Sequence, residues 1–318
     1  MFGSVLTFLV LAVGGAVGSL LFLCVIWSLL SKRRQRRAAL EIEPPDCGKL
    51  LRPPGHWLQE RLFELAEKQN DQVMSATMCA VFAGLVGTGS LTILLRTLSN
   101  PQFLHNSLME CQIVGAGFGL LLAALCSVRA WQGANEVLEL RADAERKRLG
   151  LRGEQAVAEA LHSPEVAGKG YFTFHDVPSD VGGNIDHVVI GPGGVFVVET
   201  KTRSQQRPAE GKKRNRLEFD GKTTTFPTGK WDANASAQVQ RNAERVQSWL
   251  QRAVASATVE PLLVFPGWEV FLTRRSELKA MSSRSFRFHF KDLPPRFSDP
   301  ELAAMRAVLD KRTRSISL

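Results

Sequence analysis

Residues 5–30 form one unbroken apolar run without a single Asp, Glu, Lys or Arg. A helix rising 1.5 Å per residue over that length exceeds the roughly 30 Å hydrocarbon core of a bilayer. The run is therefore expected to span a membrane. A cleaved signal peptide would carry its positive charge before the apolar run, whereas here SKRRQRR follows it. This charge order favours a retained anchor with its N-terminus outside.

Two further apolar stretches cover residues 73–95 (VMSATMCAVFAGLVGTGSLTILL) and about 113–130 (beginning IVGAGFGLLLAALCSV). Arg96 is the only Lys or Arg between them, while residues 32–68 hold nine. The positive-inside rule then puts the first connection and everything after the third span on the cytoplasmic side. Apart from Arg129 at the very end of the third, none of the three runs contains a charge, so nothing in them points to a transported ion. Gly14 with Gly18, and Gly115 with Gly119, have the small-xxx-small spacing that lets helices approach closely. That spacing serves packing within one chain or a homo-oligomer equally well. Between the first two runs, EIEPPDCGKLLRPPG reads as an irregular linker, and HWLQERLFELAEKQ after it as an amphipathic helix on the membrane surface.

The chain thus divides into a membrane region, residues 1–140, and a water-soluble domain, residues 141–318. The formal net charge is +9, and from Arg141 onward 29 Lys and Arg stand against 21 Asp and Glu, a balance of +8. Such a balance suits polyanions, nucleic acid or acidic headgroups, although cytoplasmic parts of membrane proteins carry it for topological reasons too. All five cysteines (Cys24, Cys47, Cys79, Cys111, Cys126) precede residue 141, which excludes a disulfide framework or a Cys-based zinc site in the soluble domain.

Within that domain, RADAERKRL is a charged helical connector and LRGEQAVAEALHS, after Gly150, a helix with Glu154 in its early turns. YFTFHDV, NIDHVVI and VFVVETKT read as three strands, the last two joined by a tight GPGG turn and hence antiparallel. A basic hairpin with an Asp220-Gly221 turn follows, then a helix from Asn234 to Arg252, a buried strand VEPLLVF, a strand FRFHF at 286–290 and a closing helix from Glu301 to Leu309. The pattern predicts an α/β fold, a mixed β-sheet flanked by helices.

Strand alternation puts Val197, Glu199 and Lys201 on one side of the third strand, and Asp186 on the neighbouring strand can reach the same place. Asp186 and Glu199 are hard oxygen ligands suited to Mg²⁺ or Mn²⁺, with the Thr200 carbonyl as a further ligand, and Lys201 can stabilise charge on a phosphoryl group. A plain Glu199–Lys201 ion pair is the competing reading. His187 points the other way and reads as structural.

GLRGE at 150–154, FHDVP at 174–178, GNIDHVVIGPGGVFVVETK at 183–201 and NASAQ at 234–238 together resemble the NERD (nuclease-related) domain of bacterial proteins, within the PD-(D/E)xK nuclease superfamily. The resemblance covers about residues 149–250. It implies a restriction-endonuclease-like fold, with Asp186 and Glu199 as metal ligands, Lys201 as the catalytic lysine, and Glu154 and Gln238 as further active-site residues. Asn234-Ala235 stands where the family usually shows Asn-Pro, and the basic segment after Thr202 is longer. The function implied is a multi-pass, Mg²⁺- or Mn²⁺-dependent nuclease at the cytoplasmic face of a bacterial inner membrane, acting on DNA before RNA. The alternative is a non-catalytic module that holds nucleic acid or a protein at the membrane.

Overall fold

A computed structural model describes residues 50–99, 107–205, 213 and 215–316. The first expected span, residues 5–30, lies outside them. In chain order the elements begin with β1 (Leu50–Leu51), α1 (His56–Leu98), α2 (Ser107–Leu161) and α3 (Pro164–Ala167). Then come β2 (Phe172–Pro178), β3 (Asn184–Gly191), β4 (Gly194–Thr200), β5 (Arg216–Phe219), β6 (Thr224–Thr225) and β7 (Trp231–Asp232). The chain ends with α4 (Asn234–Leu250), β8 (Val259–Val264), β9 (Glu269–Leu272), β10 (Lys279–Met281), α5 (Phe286–His289), α6 (Asp299–Thr313) and β11 (Arg314–Ile316). Contacts divide the described residues into two compact units: residues 64–99 with 107–143, and residues 50–63 with 144–316.

In the first unit the two other apolar stretches lie inside α1 and α2, and both helices are long and apolar enough to cross a membrane. Their side chains are arranged inside out relative to a water-soluble helix pair. Leu85, Leu91, Leu95, Phe118, Leu121 and Leu125 are exposed, while the helices touch through small residues: Gly87 at Ala123, Gly119 at Ser90 and Gly133 at Ala76. A Cβ on Gly119 would stand 2.0 Å from the Ser90 hydroxyl, so this glycine is spent within the chain, whereas Gly115 faces open space. The hydroxyls of Thr77, Thr88, Thr92 and Ser127 each donate to the carbonyl four residues back, at 2.7 to 2.8 Å. No polar group on these residues then needs water.

Helix boundaries differ from the sequence expectation. HWLQERLFELAEKQ is not a separate surface helix but the opening of α1, and the connector and the GLRGE helix are the closing part of α2. Gly150 and Gly153 do not interrupt it, because tertiary packing overrides their poor helix propensity. A Cβ at Gly153 would lie 1.6 Å from the Thr202 hydroxyl, and one at Gly150 would lie 3.3 Å from Leu58.

The second unit is built on a five-stranded sheet of order β10-β8-β4-β3-β2. β2, β3 and β4 are antiparallel neighbours; β8 joins β4 in parallel and β10 joins β8 in parallel. Helices lie on both sides of it, so the mixed α/β sheet expected from the sequence is present. One face carries Val188, Ile190, Val195 and Val197 against Val239, Ala243 and Val246 of α4 and Met305 and Leu309 of α6. The other carries Val189, Phe196, Val198 and Leu262 against Val157 and Leu161 of α2 and Phe286 and Phe290. A four-stranded sheet of order β7-β6-β5-β9 adds Leu217 and Phe219 to the first face.

FRFHF is not a strand: Phe286–His289 is helical, and Lys279–Met281 occupies the sheet edge instead. Phe286 and Phe290 are buried while Phe288 is 69 % exposed. Alternating phenylalanines fit a strand, but the two that are buried are four apart, which is the helical spacing. The described end of the segment read as a linker, residues 50–55, begins with a strand: β1 pairs with β11.

Candidate active site

β3 and β4 form a hairpin in which His187 pairs with Val198 and Gly191 with Gly194, around Pro192-Gly193. One step beyond the His187–Val198 pair, the register puts Asp186 opposite Glu199. Alternation gives both acids the face that carries Val188 and Val197, at the end of the apolar row. Lys201 follows directly, its N–H donating to the Val264 carbonyl at 2.9 Å, so the extended chain continues one residue past β4. Its side chain falls on the same face as Glu199.

There the side chains close a network. Lys201 Nζ donates to Glu199 Oε1 at 2.9 Å and to Gln238 Oε1 at 3.0 Å. Asn242 Nδ2, one turn after Gln238 on α4, donates to Glu199 Oε2 at 3.3 Å, and the Thr200 N–H donates to Asp186 Oδ2 at 2.7 Å. Glu154 reaches the same neighbourhood from α2, with Oε2 enclosed and without a hydrogen-bond partner. All five residues singled out in the sequence, Glu154, Asp186, Glu199, Lys201 and Gln238, therefore fall in one place.

The electrostatics follow from crowding negative charge away from water. Burial raises the pKa of Asp186 well above the usual carboxylate range, helped by the charges of Glu199 and Glu154. Burial also raises Glu199, outweighing Lys201 and Asn242. Glu154 is carried from 4.5 to about 8 by burial and then by the charges of Asp176 and Glu199. For Lys201 burial works against the ammonium, but the charge and hydrogen bond of Glu199 outweigh it and the pKa rises. One cation faces three buried carboxylates.

Residues 149–266 match the NERD family, the nuclease-related domain. No curated protein and no solved structure matches the chain significantly. The matched segment runs from the end of α2 through β8, and so contains every side chain of this network.

The carboxylate cluster has a further buried neighbour, Asp176. Asp176 lies in β2, where the pairs His175–His187 and Val177–Ile185 put it opposite Asp186. It is fully buried and, among the described residues, the only non-glycine with a positive φ, +49°. Its carboxylate accepts from Arg52 Nη1 at 3.1 Å, from the Trp57 N–H at 3.3 Å and from Asn184 Nδ2. Backbone strain of this kind persists only where its surroundings hold it, and here Arg52 comes from the segment taken for a linker and Trp57 from the one taken for a surface helix. FHDVP contained the signal, since counting register back from Asp186 leads to Asp176. Asn242 was legible too, being four residues after Gln238.

His187 is on the opposite face, as strand alternation requires. Its Nδ1 is 2.8 Å from Nδ1 of His175, whose Nε2 is 3.1 Å from Nε2 of His162. This chain of imidazoles ends at the surface with His162. It has no contact with the carboxylate network.

Among the described residues no three His, Cys, Asp or Glu side chains are grouped as ligands of one ion. Asp186 and Glu199 stand as a pair, and a pair is what a small hard cation commonly takes from a protein when a substrate phosphate and waters supply the rest. The unpartnered Oε2 of Glu154 and the mutual repulsion of the carboxylates fit a site short of positive charge.

Proposed function

We propose that the NERD domain is a Mg²⁺- or Mn²⁺-dependent phosphodiesterase on a restriction-endonuclease-like core, hydrolysing nucleic acid, DNA before RNA. The observation that carries this reading is three buried carboxylates, Glu154, Asp186 and Glu199, sharing a single lysine. Asp186 and Glu199 would hold the cation, which on binding lowers the pKa of a water and offsets charge on the phosphate. Lys201, fixed between Glu199 and Gln238, presents its ammonium to the phosphoryl group and stabilises the charge that grows in the transition state. Glu154, the freest of the carboxylates, takes up or releases a proton at Oε2 near neutral pH. Gln238 and Asn242 orient Lys201 and Glu199. With no Ser or Cys in this network, water is the nucleophile and no covalent intermediate forms.

The apolar stretches of α1 and α2, together with residues 5–30, anchor this domain in a bacterial inner membrane with the NERD domain in the cytoplasm. The test uses the full chain in detergent micelles with single- and double-stranded DNA and RNA. Cleavage that needs Mg²⁺ or Mn²⁺ and is lost in Glu199→Gln is expected. Salt-sensitive binding without cleavage, surviving Asp186→Asn and Lys201→Met, would replace the enzyme by the tethered binding module.

A further inference from the structure

Trp231 is 71 % exposed on β7, an edge strand of the four-stranded sheet. The register pairs Trp231 with Thr225, Thr225 with Glu218 and Glu218 with Phe271, so these four side chains share the outer face. The inner face buries Leu217, Phe219 and Thr224. Trp231 is also tied firmly to the carboxylate site. Asp232 accepts from the N–H groups of Asn234 and Ala235 at 3.0 and 3.4 Å, which fixes β7 to the start of α4, the helix that carries Gln238 and Asn242. Arg203 Nη2 bonds Asp232 Oδ2 at 3.3 Å, while Lys201, two residues earlier, bonds Gln238. These two rungs join the same pair of segments. The chain alone keeps Trp231 within about 16 Å of Gln238, three extended residues and one helical turn away.

The mount is stiff. Phe226 N–H donates to the Lys230 carbonyl at 2.8 Å and Gly229 N–H to the Phe226 carbonyl at 2.9 Å, closing the turn before Trp231. Among the described residues the cations at this edge are Lys230, exposed, and Arg203; Asp232 pairs with Thr224 on the inner face, so Arg203, held by Asp232 and 5.8 Å from the Phe226 ring centroid, lies across the β7 edge from the indole. From Arg203 to Lys230 the sequence has eight Lys and Arg against three acids. One of those acids, Glu218, is exposed in the middle of the row, which confines a polyanion to the β7 edge.

We infer that Trp231 is a stacking platform for an unpaired base, with Arg203 and Lys230 holding the adjoining phosphates, so that the NERD domain takes single-stranded nucleic acid or a frayed end. This rests on the nucleic-acid reading of the carboxylate site. An indole stacks on any base, but only on one already out of its own duplex stack, because in a helix both base faces are covered. The platform therefore selects strandedness and not sequence.

The experiment titrates the full chain in detergent micelles, in EDTA, against a fluorescent single-stranded DNA about 12 nucleotides long and a blunt duplex of equal length. Anisotropy should show tighter binding to the single strand, about tenfold weaker binding of it by Trp231→Ala, near-normal binding by Trp231→Phe, and unchanged duplex binding. Equal affinity of Trp231→Ala and the unaltered chain for the single strand overturns the proposal, as does an equal loss on both ligands. A separate Mn²⁺ cleavage assay on the unaltered chain keeps the two ideas apart. Stacking without cleavage leaves the platform and removes the enzyme; cleavage with an indifferent Trp231 does the reverse.

Discussion

Asp186 and His187 are neighbours on β3, and strand alternation sends them to opposite sides of the sheet. Both are withdrawn from water, at 8 % and 0 % exposed. Burial acts on each in the same sense, favouring the neutral form, so the acid's pKa goes up and the imidazole's goes down. The surroundings then diverge. His187 meets His175, and two neutral imidazoles satisfy one another as donor and acceptor. Asp186 meets two further carboxylates and a lysine that is already engaged with Glu199. On the imidazole face the Nδ1 atoms of His175 and His187 satisfy each other while Nε2 of His187 stays enclosed without a partner; the other face keeps an excess of negative charge, which is an arrangement suited to something that comes from outside.

The largest effect that would break this contrast is the response of Asp186→Asn. The amide can still accept from the Thr200 N–H, so the fold should hold and even gain about 0.5–2 kcal/mol as like charges separate. Cleavage should fall by more than the roughly 10- to 100-fold typical of a supporting residue. Thermal melting beside a Mn²⁺ cleavage assay reads both; loss of stability together with activity would make Asp186 a scaffold residue.

On the imidazole face the expectation is reversed. His187→Ala should cost about 2–4 kcal/mol, through the cavity and the stranded Nδ1 of His175. Mn²⁺ affinity measured by calorimetry should stay unchanged. A loss of Mn²⁺ binding as large as that of Asp186→Asn would show that the two faces are not independent.

Acidity separates the faces more gently. Burial lowers His175 to about 4, with His162 contributing, and burial likewise lowers His289 to about 4. These imidazoles bind protons more readily in the unfolded chain, so stability present above about 6.5 is lost as pH falls toward 4. Glu154 acts the opposite way. Its folded pKa, about 8, lies above 4.5, so its contribution is complete below 4.5 and is lost as pH rises through 8. Melting curves across this range should show Glu154→Gln flattening the alkaline limb only and His175→Phe the acid limb only. The smallest change is Asn242→Ala, which frees Glu199 Oε2 and should slow cleavage about tenfold without moving either limb.

Much of this was legible beforehand where the spacing is local. The β3–β4 hairpin and strand alternation sufficed to bring Asp186, Glu199 and Lys201 together, and the family resemblance added Glu154 and Gln238. What could not be read depends on contacts distant in sequence. Arg52 meets Asp176 across 124 residues, and nothing in LLRPPG announces a partner. Gly150 looked like a helix boundary because the residue that fills the space beside it, Leu58, lies elsewhere in the chain. FRFHF satisfied two periodicities at once, and only burial of Phe286 and Phe290 decides between them.

The pairing of β1 with β11 closes a unit that is discontinuous in sequence. Residues 50–63 and 144–316 are one domain in two instalments, with the apolar helices as an insert between them. At the seam the pieces are adjacent: Leu58 lies by Gly150, and the Lys147 ammonium is 5.8 Å from the Trp57 ring centroid. A fragment begun at Arg141 would discard the first instalment, taking with it Arg52 and the strand that β11 needs. Splicing Phe63 to Ala144 through a short flexible loop would excise the insert and keep both instalments in one reading frame.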